Sequence, residues 1–318
     1  MSPTSRLAVE RIEAAGRSID SVFLHTPQFL SEPLSAQLGA RVVLKIETVN
    51  PIRCFKGRGA DLFVSTVQSS AHLVTASAGN FGQAIAFAAR MGGVKALIFA
   101  AESANPFKIE RMRALGAEVR LEGQDFDAAK AAALAFAEKH GGMFVEDGRE
   151  PAISEGAGTI ALELCQWPQT LDYVVCPLGN GALLAGIGTV MRARAKGTRV
   201  IGVCATGAPA MERSWRTHTV ETTPSVRTVA DGIGVRVPVP EALGDLRNLL
   251  DDIVLVEDDA MVEAVRLMFR HHGLVTEPAG VAGVAAMLSD TGRFRGATVA
   301  TPICGGNIDP QRMKDWLS

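Results

Sequence analysis

Lys56 stands behind an aromatic and ahead of two glycines in Asn50-Pro51-Ile52-Arg53-Cys54-Phe55-Lys56-Gly57-Arg58-Gly59-Ala60. A lysine amine that has shed its proton is a nucleophile toward aldehydes, and partial desolvation promotes that loss. Phe55 offers a flat face against which another ring can stack. The stretch also reads more plainly, as a helix start with a surface lysine. Three further stretches set small residues between an apolar run and a helical pattern. In Ser77-Ala78-Gly79-Asn80-Phe81-Gly82-Gln83, strand, turn and helix start follow in order and turn backbone N–H groups toward a carboxylate or phosphate. Its plainer reading is a helix capped by Ser77 or Asn80. Pro177-Leu178-Gly179-Asn180-Gly181-Ala182-Leu183 has the composition of a phosphate cradle, since glycines let the backbone approach an anion at a helix N-terminus. Ile303-Cys304-Gly305-Gly306-Asn307, taken alone, is a tight turn with a buried thiol.

A dinucleotide fingerprint fits the second glycine-rich loop poorly. That motif needs its third glycine earlier than Gly186, and an acid at the end of the next strand, where this chain has Thr206.

Elements that could position these residues alternate along the chain. Apolar runs of strand length lie at 41–46, 72–76, 95–100, 118–121, 143–146, 172–176, 199–205, 253–256 and 297–303. Helical patterns lie at 55–69, 79–91, 106–115, 125–140, 155–166, 183–195, 258–272 and 279–288. The alternation predicts an α/β fold with mostly parallel sheets and right-handed crossovers. Residues 217–240, with their prolines and polar residues, form the one long irregular stretch.

Composition narrows the functions. The chain has 318 residues, 47% of them hydrophobic, and a net charge of −2, which suits a sizeable core and gives no reason to invoke nucleic acid or an anionic membrane. With 5% aromatic residues, a base-stacking surface is not expected. No apolar stretch reaches the length of a membrane span, and no apolar signal core follows Arg6. The five cysteines (54, 165, 176, 204, 304) are scattered without Cys-x-x-Cys, which argues for a reducing cytoplasm without disulfides or structural zinc.

Taken together, the four loops resemble the fold-type II pyridoxal-phosphate enzymes, and among them the serine/threonine dehydratases (ammonia-lyases). The similarity runs from about Thr26 to Asn307, with further matches at Thr228-Val229-Ala230-Asp231-Gly232-Ile233 and Thr276-Glu277-Pro278-Ala279-Gly280. The resemblance implies two open, mostly parallel sheets flanked by helices, as in the tryptophan synthase β-like fold. Residues 1–71 and 143–318 would form a large domain that binds the cofactor, and residues 72–142 a small domain carrying the substrate loop. Lys56 would bond to the cofactor aldehyde and act as the catalytic base, with Phe55 against the pyridine ring. Asn80 would meet the ring's phenolic oxygen. Ser77, Ala78, Gly79 and Asn80 would grip the substrate carboxylate. Gly179, Asn180, Gly181, Ala182 and Leu183 would cradle the phosphate, and Cys304 would face the pyridine nitrogen. Gly232 and Glu277 would lie near the cofactor, although Glu277 is read equally well as an acid at a helix N-terminus. A homodimer in the cytoplasm with an amino-acid substrate is expected. The end at Ser318 leaves no room for the C-terminal regulatory module of some family members.

The implied reaction is loss of a β-hydroxyl from L-threonine or L-serine, giving a 2-oxo acid and ammonia. A thiol at Cys304 is a weak donor with a usual pKa of about 8.5. It would leave the ring nitrogen largely unprotonated, which favours elimination over transamination. Ala78 stands where related serine racemases carry a hydroxyl residue on the face opposite the lysine, so racemisation is expected to be slow. The chain has Thr206 where racemases and some dehydratases place a metal-binding glutamate. Glu212 alone is a poor cation site, and no metal is expected.

The chain also departs from the family. Asn180 and Ala182 replace glycines of the phosphate loop, and Asn180 is expected to tolerate positive φ. Arg53-Cys54 replaces Gly-Ser, and Phe81 replaces His or Ala; all three are expected to line or border the pocket. Arg53 could favour a dianionic substrate such as 3-hydroxyaspartate, or could point to solvent or pair with Glu47. The nearest alternative activity is β- or γ-replacement, as in threonine synthase or cysteine synthase; a non-catalytic binding module is disfavoured by Lys56.

Overall fold

Short runs rich in valine, isoleucine, leucine and alanine build two sheets in the computed structural model, which describes residues 6–317. The expectations drawn from the first five residues and from Ser318 lie outside the described residues. The strands are β1 (Gln28–Leu30), β2 (Arg41–Ile46), β3 (His72–Ala76), β4 (Lys95–Ala100), β5 (Glu118–Leu121), β6 (Met143–Phe144), β7 (Tyr173–Pro177), β8 (Arg199–Ala205), β9 (Asp252–Val256) and β10 (Thr298–Ile303). One sheet has the order β1-β2-β10-β7-β8-β9 and the other β5-β4-β3-β6. Every pairing is parallel except that of β1 with β2.

Period-two geometry divides the six-stranded sheet between two apolar layers. Val42, Leu44, Ile46, Val175, Ile201, Val203, Val299 and Ile303 pack on one face with the helices Asp258–His272 and Ala282–Ser289. Val43, Val174, Cys176, Val200, Cys204, Ala300 and Cys304 face the other way, toward the helices Pro151–Leu164 and Ala182–Arg194. Helices on both faces explain why these strands read as nearly continuous apolar runs. The four-stranded sheet packs β3 and β4 against the helices Asn80–Met91 and Phe126–His140.

The bounds expected for β2, β3, β4, β5 and β8 match those observed. Other elements differ for identifiable reasons. The expected strand 143–146 stops at Phe144. Because β6 pairs with β3, the four-stranded sheet extends past residue 142. The helix expected from Glu155 begins at Pro151, where a proline in the first turn loses no hydrogen bond. The helix expected over 279–288 is a 3-10 turn, Pro278–Val281, followed by the helix Ala282–Ser289. Residues 217–240 are largely irregular apart from the 3-10 turn Asp231–Ile233. No helix among the described residues is long and apolar enough to cross a membrane.

Candidate active site

The sheets bring the carboxyl ends of β3, β7 and β10 around one cavity of about 280 Å³. In open α/β sheets, ligands collect at such strand ends. The cavity is lined by Phe55, Lys56, Ser77 to Phe81, Gly179 to Leu183, Gly232, Glu277 and Cys304. The residues expected to hold cofactor and substrate therefore line one cavity.

Backbone hydrogen bonds join the separate motifs. Phe55 N–H donates to the Cys304 carbonyl at 3.0 Å, Gly306 N–H to Arg53 at 2.9 Å and Cys304 N–H to Gly280 at 2.9 Å. Glu277 N–H reaches the Gly305 carbonyl at 3.0 Å. Lys56 opens the helix Lys56–Ser65, in which Gly57 and Gly59 have a packing reason. A Cβ on Gly57 would fall 2.2 Å from the Phe23 ring, and one on Gly59 would fall 2.4 Å from the Ile153 carbonyl oxygen. Tight packing thus offsets the weak helix propensity of glycine.

Two residues after Lys56, Arg58 is fully buried in a balanced charge cluster. Its Nε donates to Glu47 Oε2 at 2.9 Å and its Nη2 to Glu47 Oε1 at 2.8 Å. Its Nη1 donates to Glu163 Oε1 at 2.5 Å and to Thr159 Oγ1 at 3.0 Å. Lys45 completes the cluster by donating to Glu163 and to the Thr26 carbonyl. Burial alone would raise the Glu163 carboxyl, but hydrogen bonds and charge from Arg58 and Lys45 prevail and hold it down at about 2.

Inside the cavity, Lys56 Nζ lies 2.6 Å from Asp147 Oδ2 and 4.8 Å from the centroid of the Phe55 ring. The Asn80 amide donates to Glu277 and accepts from Asn307 Nδ2 at 2.8 Å. Glu277 is buried and lines the cavity, and it also stands at the N-terminus of the 3-10 turn Pro278–Val281 without a side-chain cap hydrogen bond; burial raises its carboxyl, and Lys108 offsets this only in part. Burial alone would lower Lys108, but Glu277 and Asp231 reverse this and favour its ammonium, which lies 2.5 Å from Asp231 Oδ2. Ser77 Oγ accepts from the N–H groups of Gly79 and Gly82, so it caps the helix Asn80–Met91 from within the turn. Burial keeps the Cys304 thiol protonated, well above its ordinary range.

The loop Gly179 to Leu183 has the features a phosphate requires. Gly181, at φ 96°, forms the N-cap of the thirteen-residue helix Ala182–Arg194, whose first N–H groups have no intrahelical partner. A Cβ on Gly179 would fall 2.8 Å from the Gly232 carbonyl oxygen. A phosphate at this helix end and an aldehyde at Lys56 fit the donor set and the shape of the cavity.

The departures from the family fall in different places. The left-handed residue of the loop is Gly181, whereas Asn180 is not among the described residues at positive φ. Arg53, at φ 54°, points to solvent, as one of its two readings expected; it does not line the cavity, and Glu47 pairs with Arg58 rather than with it. Cys54 is buried behind the site in a bridge with Gly305; of the three departures near Lys56, only Phe81 lines the cavity. Glu212 pairs with Arg216, and no group of three or more potential metal ligands occurs among the described residues. Sequence reasoning missed Asp147 and Lys108, whose site partners are 91 and 123 residues away. For Asp147, the available signal was its place just after an expected strand.

The profile of the family described as pyridoxal-phosphate dependent enzyme matches residues 19–305. The L-threonine ammonia-lyase of Thermotoga maritima is 35% identical over 306 residues, covering 95% of this chain and 76% of that protein. That of Geobacter sulfurreducens is 35% identical over 282 residues, covering 88% and 70%. The crystal structure of a threonine deaminase from T.th. superposes with a TM-score of 0.90 at 32% identity, covering 95% of this chain and 99% of that one.

Proposed function

This chain belongs to the pyridoxal-phosphate dependent enzymes, and we propose that it eliminates the β-hydroxyl of an amino acid such as L-threonine or L-serine, releasing a 2-oxo acid and ammonia. The observation that carries the reading is the convergence of Lys56, the Ser77 to Asn80 turn and the Gly179 to Leu183 loop on one cavity. Similarity to two L-threonine ammonia-lyases supports this reaction over β- or γ-replacement.

Pyridoxal phosphate, when bound, supplies an aldehyde for amines and an electron-withdrawing ring that stabilises negative charge at the substrate's α-carbon. Gly179 to Leu183 would hold its phosphate, with Phe55 and Cys304 flanking its ring. Lys56 Nζ is the amine that would meet its aldehyde, and as a neutral amine it would take the α-proton. The turn at Ser77 to Asn80 would hold the substrate carboxylate at a helix start. Cys304, kept as a neutral thiol by burial, would be a weak donor to the ring nitrogen and so would favour loss of the β-substituent over transamination.

An amino-acid panel scored for 2-oxo acid and ammonia tests the reaction. L-Threonine or L-serine should react in the unaltered protein, and Lys56→Ala should abolish the activity. After borohydride reduction, mass spectrometry should place the cofactor on Lys56; cofactor on another lysine, or on none, overturns the assignment.

A further inference from the structure

Lys56 must release a proton before its amine can act, and the cavity wall limits where that proton can go. The wall carries five carboxylates: Asp127, Glu146, Asp147, Asp231 and Glu277. Four already face other groups. Asp127 pairs with Arg236, Glu146 with Lys130 and Asp231 with Lys108; Glu277 receives the Asn80 amide and lies 3.6 Å from Lys108. Asp147 alone meets Lys56, through Oδ2 at 2.6 Å. It is 7% exposed, and its Oδ1 is buried without a hydrogen-bond partner.

The backbone fixes this carboxylate in place. Gly148, at φ 87°, presses against the phosphate loop, where an added Cβ would fall 2.2 Å from the Asn180 carbonyl oxygen. Few residues other than glycine accept that conformation, and none has room for its side chain there. The turn bearing Asp147 is therefore held against Gly179 to Leu183, with its carboxylate aimed at Lys56.

We propose that Asp147 is the proton-holding partner of Lys56 and so a further catalytic residue. The inference rests on Lys56 being the reacting amine. In the free protein the shared proton sits on Nζ, as ammonium against carboxylate. When Lys56 acts as an amine, an N–H bond breaks, its electron pair stays on nitrogen, and the proton bonds to Asp147 Oδ2. The pair passes from one positive and one negative charge to two neutral groups, so net charge in the cavity is unchanged. A buried carboxylate left without its cation is costly, and protonation removes that cost. Asp147 then holds the proton within one hydrogen bond of the nitrogen to which it returns.

Acetic anhydride on the cofactor-free protein, with mass spectrometry of each lysine, tests the pairing without turnover. Loss of a charge-assisted hydrogen bond shifts an equilibrium by about tenfold or more. Asp147→Asn should therefore acetylate at Lys56 about tenfold faster than the unaltered protein at the same neutral pH, while surface lysines keep their rates. Its elimination rate should fall, and Asp147→Glu should restore both readouts in part. Unchanged or slower labelling of Lys56 in folded Asp147→Asn, or full elimination activity there, overturns the proposal. A second measurement needs no variant: when Lys56 of the unaltered protein is acetylated, difference infrared spectra should gain the carbonyl band of one protonated carboxylic acid. Absence of that band overturns the proposal as well. Borohydride labelling tests the assignment of Lys56 separately, so failure of either idea is recognisable alone.

Discussion

Glu163→Gln tests whether the buried charge cluster behind Lys56 stabilises the protein. Glu163 is held at about 2 against an ordinary 4.5 by Arg58 and Lys45. That difference corresponds to at most roughly 3 kcal/mol of folding stability. The folded carboxyl lies below its unfolded value. Its contribution is therefore fully present above about pH 4.5 and is lost as pH falls through about 2. Glutamine removes the charge at every pH and leaves Lys45 and Arg58 sharing Glu47 alone. Urea unfolding of both proteins, from neutral pH down to about 3.5, measures the effect. The gap should be about 3 kcal/mol at neutral pH and narrow to about 2 kcal/mol near pH 3.5. A gap that stays constant across this range, or falls below about 1 kcal/mol at neutral pH, refutes the assignment of this stability to the Glu163 charge.

Ala78 lines the cavity and offers no exchangeable proton, so Ala78→Ser should raise serine racemisation relative to elimination, as read by chiral chromatography of recovered substrate. Racemisation as fast as elimination in the unaltered protein would refute the role given to Ala78. Arg53→Gly should leave the ratio of specificity constants for L-threonine and 3-hydroxyaspartate unchanged, because Arg53 lies outside the cavity wall. Its stability should rise by no more than about 1 kcal/mol, since relief of the left-handed strain is partly offset by the freedom glycine adds to the unfolded chain.

Much of this architecture was legible because β2, β3, β4 and β8 are buried on both sides and announce themselves as continuous apolar runs. Most of the elements left unassigned are short and depend on their surroundings. Gln28–Leu30 is a strand only because it pairs with Lys45, Leu44 and Val43. Glu32–Leu38 carries a Ser31 cap and Gly39 at φ 64°, but its seven residues show too few turns for a periodic signal. The four loops around Lys56 were legible because each combines small residues with a strand before and a helix after. For Arg53, three positions from Lys56, the sequence left both a pocket and a solvent-facing position open. At φ 54° the chain turns there, and the side chain leaves the cavity. Glycine suits that conformation.

The division between scaffold and wall bears on what the enzyme selects. Arg58, Glu47 and Glu163 seat the helix that begins at Lys56, while Cys304 and Glu277 are fixed through the Gly305 and Gly280 backbone. These contacts hold Lys56 in place whatever occupies the cavity. The cavity wall also includes Lys108, Phe126 and Val237, together with Phe81, which belongs to the apolar core as well. Of these, Lys108 carries the charge. It is a buried cation on the helix Pro106–Ala114, yet its 2.5 Å partner Asp231 has a side chain 58% exposed. An exposed carboxylate gives up its partner at little cost, because water replaces the contact, whereas the buried Glu277 does not. A second anionic group on the substrate would therefore compete with Asp231 for Lys108, and a neutral methyl group would not. Any preference for a dianionic hydroxy amino acid would be set at Lys108, on the inner wall, rather than at Arg53 on the surface.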